Sequence, residues 1–301
     1  MFGVTILGNN SAVPAHDRHP TAQAVTIAGE VLLLDCGEGT QLQIKNYFVK
    51  RSRITRIFIS HLHGDHYFGL IGLLSSMALI NRNTPLHIYA PAPLKELIDL
   101  QLSISDSVLP YDLIFHALGG PEILVTTPKY QVEVFPVEHR IACYGFLIRE
   151  NHAPRKINPE KTRQYEIPHA YFEKLQWGAD YQTKDGRLLT NEMLTIPGKK
   201  NLSYAYCADT LYTDSFLPYI QQVDLLYHES TYLDDFENQA KDRFHSTARQ
   251  AAMIAEKANV GHLLLGHFSS KFKNVHPFEV QAREVFPYTD ISQEGVTYLV
   301  C

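Results

Sequence analysis

The six-residue string His61-Leu62-His63-Gly64-Asp65-His66 gathers three imidazoles and a carboxylate in one short stretch of chain. Packing those groups together without a cation is costly, since polar groups withdrawn from water need compensating partners. The string therefore predicts divalent-metal binding. In an extended loop His61 and His63 fall on the same side, as residues two apart do. Gly64 permits a tight turn that would aim Asp65 and His66 at a second point.

Other candidates lie at the ends of apolar runs. Ile57-Phe58-Ile59-Ser60 leads into His61, Val134-Phe135-Pro136-Val137-Glu138 into His139, Tyr204-Ala205-Tyr206-Cys207-Ala208 into Asp209, and Leu263-Leu264-Leu265-Gly266 into His267. If these runs are strands of one polarity, their ends meet at the carboxyl edge, where α/β sheets place their sites. Seven ligands are one short of two four-ligand sites. A bridging Asp209 resolves this, giving His61, His63, His139 and Asp209 to one ion and Asp65, His66, Asp209 and His267 to the other. Imidazole plus carboxylate with no thiolate suits catalytic zinc, two Zn2+ per subunit.

The elements that must carry these residues alternate along the chain. Strands are expected at Val4–Leu7, Gln23–Ile27, Val31–Asp35, Arg56–Ser60 and Leu86–Tyr89, with a Gly29-Glu30 turn between the second and third. A helix is expected from Gly39 and others over His66–Ile80 and Leu94–Ile104, where apolar residues recur at helical spacing. The second half repeats this grammar with strands at Val132–Val137, Gly145–Arg149, Ser203–Cys207, Val223–Tyr227 and His262–Leu265. Thr247 followed by Gln250 reads as a capping box opening a helix to Ala258, with Ala248, Ala251, Ala252 and Ala255 as a packing stripe. Such alternation predicts α/β layers with helices on the sheet faces.

The segment from about 151 to 200 breaks the pattern. Residues 149–200 hold ten Lys or Arg against seven Asp or Glu, net +3 in a chain of 301 residues whose formal charge is −5. It is too long for an ordinary connection and reads as a functional arm inserted in a single domain over 1–301. The overall acidic charge argues against indiscriminate nucleic-acid binding but leaves room for a local basic surface. Met1-Phe2-Gly3-Val4 reads as the start of a strand and not a secretory signal. The longest mostly apolar stretch, Tyr67 to Ile80, is too short to span a bilayer, so no membrane association is expected. Cys36, Cys143, Cys207 and Cys301 are scattered, which fits a reducing cytoplasm. His16, His19, His87, His116, His152, His169, His262 and His276 show no converging partner and read as ordinary structural histidines, as does His228.

The metal string together with Asp35 in Leu33-Leu34-Asp35-Cys36-Gly37-Glu38-Gly39 resembles the metallo-β-lactamase superfamily, whose fold is a four-layered αβ/βα sandwich. Within it, the chain is most similar to the tRNase Z (ribonuclease Z) family along nearly its whole length. His228-Glu229-Ser230-Thr231 resembles the family's His-Glu-Ala-Thr motif, His245-Ser246-Thr247 its His-Ser-Thr segment, and Gly266-His267-Phe268-Ser269-Ser270 its metal-ligating end. Two places depart from the pattern. Ile167-Pro168-His169-Ala170 stands where the arm usually has Gly-Pro, and Pro14-Ala15-His16-Asp17-Arg18-His19 keeps only the Pro and Arg of the family's N-terminal loop.

The resemblance implies a zinc endoribonuclease that removes 3′ trailers from precursor tRNA, leaving a 3′-hydroxyl on tRNA and a 5′-phosphate on the trailer. Two metals sharing a site suit in-line phosphoryl displacement. Asp65 would ligate metal and accept the proton of the attacking water, His245 would be the general acid, and Glu229 would orient His245. Asp35 would support the site without binding metal. Arg155, Lys156, Lys161, Arg163, Lys174 and Lys184 of the flexible arm would contact tRNA phosphates. The family also implies a homodimer in which one subunit's arm serves substrate bound at the other. A small-substrate phosphodiesterase, a thioester or lactone hydrolase, and a non-catalytic RNA-binding protein on the same fold are the competing readings.

Overall fold

The computed structural model describes residues 1–151, 154–198 and 200–301. Two seven-stranded sheets form its centre. The first runs Thr297–Leu299, Gly3–Gly8, Ala22–Ile27, Glu30–Leu34, Ile54–Phe58, Leu86–Pro91, Leu113–Leu118. The second runs Thr289–Ile291, His262–Gly266, Leu225–Glu229, Ser203–Cys207, Cys143–Glu150, Tyr130–Val137, Glu122–Thr126.

Side-chain alternation along the strands builds the layers, because successive residues of a strand face opposite ways. Leu32 and Leu34 join the core shared with the second sheet, while Val31 and Leu33 join the core under the helices. In the shared core Val4, Ile6, Val25 and Phe58 meet Tyr130, Val132, Phe146 and Tyr204. Phe58 and Phe146 lie ring to ring at 5.3 Å across the two sheets. Helices Leu70–Leu79 and Pro93–Ile104 cover the first sheet, and Ala248–Lys257 and His276–Arg283 cover the second. The architecture is the expected four-layered sandwich.

Several local differences from the sequence expectation have physical causes. The first hairpin turns at Ala28-Gly29, both at positive φ, and Glu30 already belongs to the following strand. The helix expected over His66–Ile80 is split into Gly64–Tyr67 and Leu70–Leu79. At the break the Gly69 amide donates to the Cys36 carbonyl at 2.9 Å, and a Cβ on Gly69 would come within 2.1 Å of the Gly37 oxygen. A Cβ on Gly37 would in turn lie 2.4 Å from the Asp65 oxygen. Two glycines thus let the loop after Glu30–Leu34 press against the segment bearing Asp65 and His66.

The insertion at about 151–200 enters and leaves through neighbouring antiparallel strands, with Ser203 paired to Arg149 and the Glu150 amide donating to the Leu202 carbonyl at 2.8 Å. It has a small core of its own in Ile167, Leu175, Leu189 and Leu194, flanked by Ile157, Tyr165 and Phe172. Asn191 stitches it together, donating to the Leu175 and Ala179 carbonyls at 2.6 and 3.0 Å. These apolar residues sit on short elements joined by turns, so no long period announces them in the sequence.

Candidate metal centre

Strand polarity brings the site together. Tyr130–Val137, Ser203–Cys207, Leu225–Glu229 and His262–Gly266 all run in one direction, with only Cys143–Glu150 reversed between the first two. His139, Asp209 and His267 therefore leave the same edge of the second sheet. His61 leaves the first sheet after Ile54–Phe58. Backbone ties set the register: the Ser60 amide donates to Asp35 at 2.7 Å and the Ser230 amide to the Gly266 carbonyl at 2.8 Å.

The seven predicted ligand residues converge as two groups. His61, His63, His139 and Asp209 present ligand atoms to one point, and Asp65, His66 and His267 to another. His61 Nε2 and His139 Nε2 lie 3.0 and 3.2 Å from His63 Nδ1. Asp209 faces both groups: its Oδ2 is 3.7 Å from His61 Nε2, and its Oδ1 is 3.4 Å from His66 Nε2 and 3.2 Å from His267 Nε2. Asp65 Oδ2 is 3.6 Å from His66 Nε2 and 3.4 Å from His267 Nε2. Tetrahedral ligands about 2.0–2.1 Å from an ion are about 3.3 Å from one another, so these spacings are those of coordination shells. His66 Nε2, His267 Nε2 and Asp209 Oδ1 are buried with no hydrogen-bond partner among the described residues, an arrangement that is costly unless a cation fills it. The residues fit divalent metal.

The electrostatics point the same way. Burial opposes charge on His66, yet Asp209, Asp65 and Asp35 hold its pKa well above the usual imidazole range. Burial also opposes charge on Asp209, but the surrounding histidines depress it well below the carboxylate range. His61, His63 and His139 are pushed down by burial and then by neighbouring imidazoles, His66 foremost at His61, His139 at His63 and His245 at His139, which favours the neutral, ligating form.

Behind the ligands stand two carboxylates with parallel arrangements. Asp35 accepts from His66 Nδ1 at 2.7 Å, from Ser60 Oγ at 2.9 Å and from the Tyr206 hydroxyl at 2.6 Å. Because Ser60 gives its proton to Asp35, it accepts from His61 Nδ1 at 3.0 Å. Glu229 accepts from His245 Nδ1 at 2.9 Å and from Thr231 Oγ1 at 2.9 Å. Thr231 therefore accepts from His267 Nδ1, also at 2.9 Å. Each carboxylate holds one imidazole directly and a second through a hydroxyl, fixing the ring tautomers. His139 is fixed separately, its Nδ1 donating to the Phe244 carbonyl at 2.9 Å.

His245 lies above both groups, its ring 5.3 Å from that of His139 and 5.5 Å from that of His267. The Thr247 capping box forms as expected and anchors the segment just after it. A cavity of about 880 Å³ opens over the cluster, with His63, Asp65, Asp209 and His245 in its lining. Arg140, Arg243 and Lys271 also line it and escape sequence reasoning, since isolated cations carry no spacing signal.

Other histidines find ordinary partners: His16 the Ser270 carbonyl, His19 Glu294, His87 and His116 each other, His262 Asp290, and His276 Glu279. His169 packs at a tilt against Phe172, ring centroids 4.6 Å apart. His228 is buried beside Phe216, and its Nδ1 donates to the Glu229 carbonyl. His152 lies outside the described residues. Of the six basic arm residues, Arg155 is half-buried and bonded to Thr195, while Lys156, Lys161, Arg163, Lys174 and Lys184 are exposed. None of the six lines the cavity.

Fold and site together define a metal-dependent hydrolase of the metallo-β-lactamase fold. The fold is shared with the metallo-β-lactamase fold protein YhfI from Bacillus subtilis, at 21% identity and a TM-score of 0.69 over 99% of this chain and 98% of that one. It is shared also with human tRNase Z, short form, at 25% identity and a TM-score of 0.72 over 99% of both chains. Residues 2–152 match the family model of the anti-Pycsar protein Apyc1. Ribonuclease Z of Parabacteroides distasonis is 39% identical over 297 residues, 98% of each chain. The chain belongs to the ribonuclease Z family, and its first half to the family that the Apyc1 model describes.

Proposed function

We propose that the protein is a tRNA 3′-processing endoribonuclease that cuts the trailer from precursor tRNA, leaving a 3′-hydroxyl on tRNA and a 5′-phosphate on the trailer. The observation that carries this reading is full-length similarity to proteins named ribonuclease Z, combined with two ligand groups, both faced by Asp209, beneath an open cavity. We take the ions to be two Zn2+, held by His61, His63, His139 and Asp209 and by Asp65, His66, Asp209 and His267. Bound there, they would supply Lewis acidity and a nucleophile at neutral pH.

The chain's own groups do the rest. Asp65 accepts the proton of the attacking water. His245 delivers a proton from Nε2 to the departing 3′-oxygen, since its Nδ1 is committed to Glu229. Glu229 orients and charges His245. Arg155, Lys156, Lys161, Arg163, Lys174 and Lys184 of the inserted arm contact tRNA phosphates, away from the chemistry.

We take the protein to be a homodimer acting in the cytoplasm. Leu79, Ile104 and Val108, at 84%, 76% and 86% exposure, with Leu97 and Leu100, are exposed apolar side chains on or just after the helices Leu70–Leu79 and Pro93–Ile104, and cover by a second copy suits them. The four free cysteines suit a reducing compartment. No helix of the described residues is long and apolar enough to cross a membrane.

Incubation with a trailer-bearing pre-tRNA, with mapped product ends, tests the activity; a small diester, a thioester and a lactone serve as competing substrates. Hydrolysis of the small esters without cleavage of the RNA would overturn the reading.

A further inference from the structure

Phe68 occupies a place where folding gains little from a large apolar side chain: it is 64% exposed, at the rim of the cavity over the metal cluster. Its position is nevertheless fixed. Its amide donates to the Gly64 carbonyl at 2.9 Å, on the short helical turn that bears Asp65 and His66. The ring lies over Gly64, where a Cβ would come within 2.2 Å of it, and Tyr67 packs edge-on at 5.0 Å. An open aromatic face is thereby locked to two of the proposed metal ligands.

The lining of the cavity brings apolar Val13, Pro14, Pro20 and Phe68 together with cationic Arg140, Arg243 and Lys271. That combination suits a nucleic-acid strand, with a base against the aromatic ring and phosphates beside the cations. Two side grooves adjoin it at different places. The groove lined by Tyr212, Glu237 and Lys241 shares only His245 with the cavity, and the groove lined by Tyr67, Leu94 and Gln101 shares only Phe68.

The geometry points to Phe68 as the stacking platform for the first nucleobase of the trailer. This rests on the tRNA reading above and on His245 as the acid. The 3′-oxygen that leaves toward His245 belongs to the last tRNA nucleotide, so that nucleotide lies on the His245 side. The scissile phosphate remains on the first trailer nucleotide, whose base is carried the other way, over Phe68. Every base has a π-face, so the platform holds the strand without selecting its sequence.

The test measures kcat and KM of the wild type, Phe68→Leu and Phe68→Trp on pre-tRNA whose first trailer nucleotide is intact or abasic. Phe68→Leu should raise KM about tenfold or more on intact RNA, from the loss of one base–aromatic stack. The effect should vanish on the abasic substrate, and Phe68→Trp should restore the wild-type value. Equal loss on both RNAs would overturn the assignment. So would coupling to an abasic site in the last tRNA nucleotide instead, which would put the base on the wrong side. If the wild type cuts neither RNA but hydrolyses a small diester, the tRNA reading fails and this inference with it. Zinc content and melting temperature check that each variant is folded, with Phe68→Ile replacing any that is not.

Discussion

His245 and Glu229 form a buried pair, Nδ1 to Oε1 at 2.9 Å, and the same carboxylate reaches His267 through the Thr231 hydroxyl. Glu229 also accepts from the backbone amides of Thr210, Thr231 and Ser246. One carboxylate therefore ties three loops and two imidazoles of different proposed roles into a single network.

The pair predicts a pH profile. Burial weakens proton binding at His245, but the Glu229 carboxylate, with Asp209 and Asp65, more than offsets it and raises the imidazole to about 8. A group so raised carries its proton below that pH and loses it above. The rate of pre-tRNA cleavage should therefore fall as pH rises through about 8. Glu229→Gln removes the anion and should move that limb to lower pH. His245→Ala should cost about 10²–10⁴-fold in kcat and abolish the limb. A limb unmoved by Glu229→Gln would assign the proton to another group.

Zinc should enter at two ions per chain. Chelation should abolish cleavage, and Asp209→Ala should weaken both ions while His63→Ala weakens one. At a hundredfold excess over Kd, an ion that binds only the folded chain adds about 2.7 kcal/mol of stability. Melting temperature with and without zinc, beside metal analysis, checks this; a melting temperature indifferent to zinc would contradict it.

The two hydroxyl relays predict separable effects. Ser60→Ala leaves His61 Nδ1 without its acceptor, and Thr231→Val does the same to His267. Each should cost about 10–100-fold in metal affinity or activity, at the ion nearest its imidazole. Titration of each apoprotein with zinc would show which site weakens. Uniform weakening of both ions by either variant would argue against the division.

Removing residues 155–195 should abolish pre-tRNA cleavage and spare a small phosphodiester. Trp177, the chain's single tryptophan, lies on the arm at 60% exposure, so its fluorescence should change when pre-tRNA binds. Equal loss of both activities on deletion would count against an arm that serves only substrate binding.

Much of the site is legible in the sequence because His61, His139, Asp209 and His267 each follow an apolar run, and His63, Asp65 and His66 stand in the same short string as His61. Counting ligands implies that one residue is shared between two groups, and it is the fold that turns Asp209 toward both. Other parts are not legible. Ser60 and Thr231 become meaningful only once Asp35 and Glu229 face them across the fold. The break at Phe68 and Gly69 depends on how closely the Cys36-Gly37 loop approaches. The arm's core rests on four apolar residues spread over short elements, which leave no period to detect.

The arm's two ends meet as hydrogen-bonded partners, Glu150 at the end of one strand and Leu202 just before its neighbour. The insertion is therefore a long hairpin connection, and closing its ends adds no strain to the sheet. An ordinary tight turn could bridge the same gap, and so could a different module of any length. The sheets that carry the metal centre and the inserted arm, which we propose addresses the substrate, are joined at a single junction, so the arm could be grafted or exchanged without displacing a residue of the metal centre.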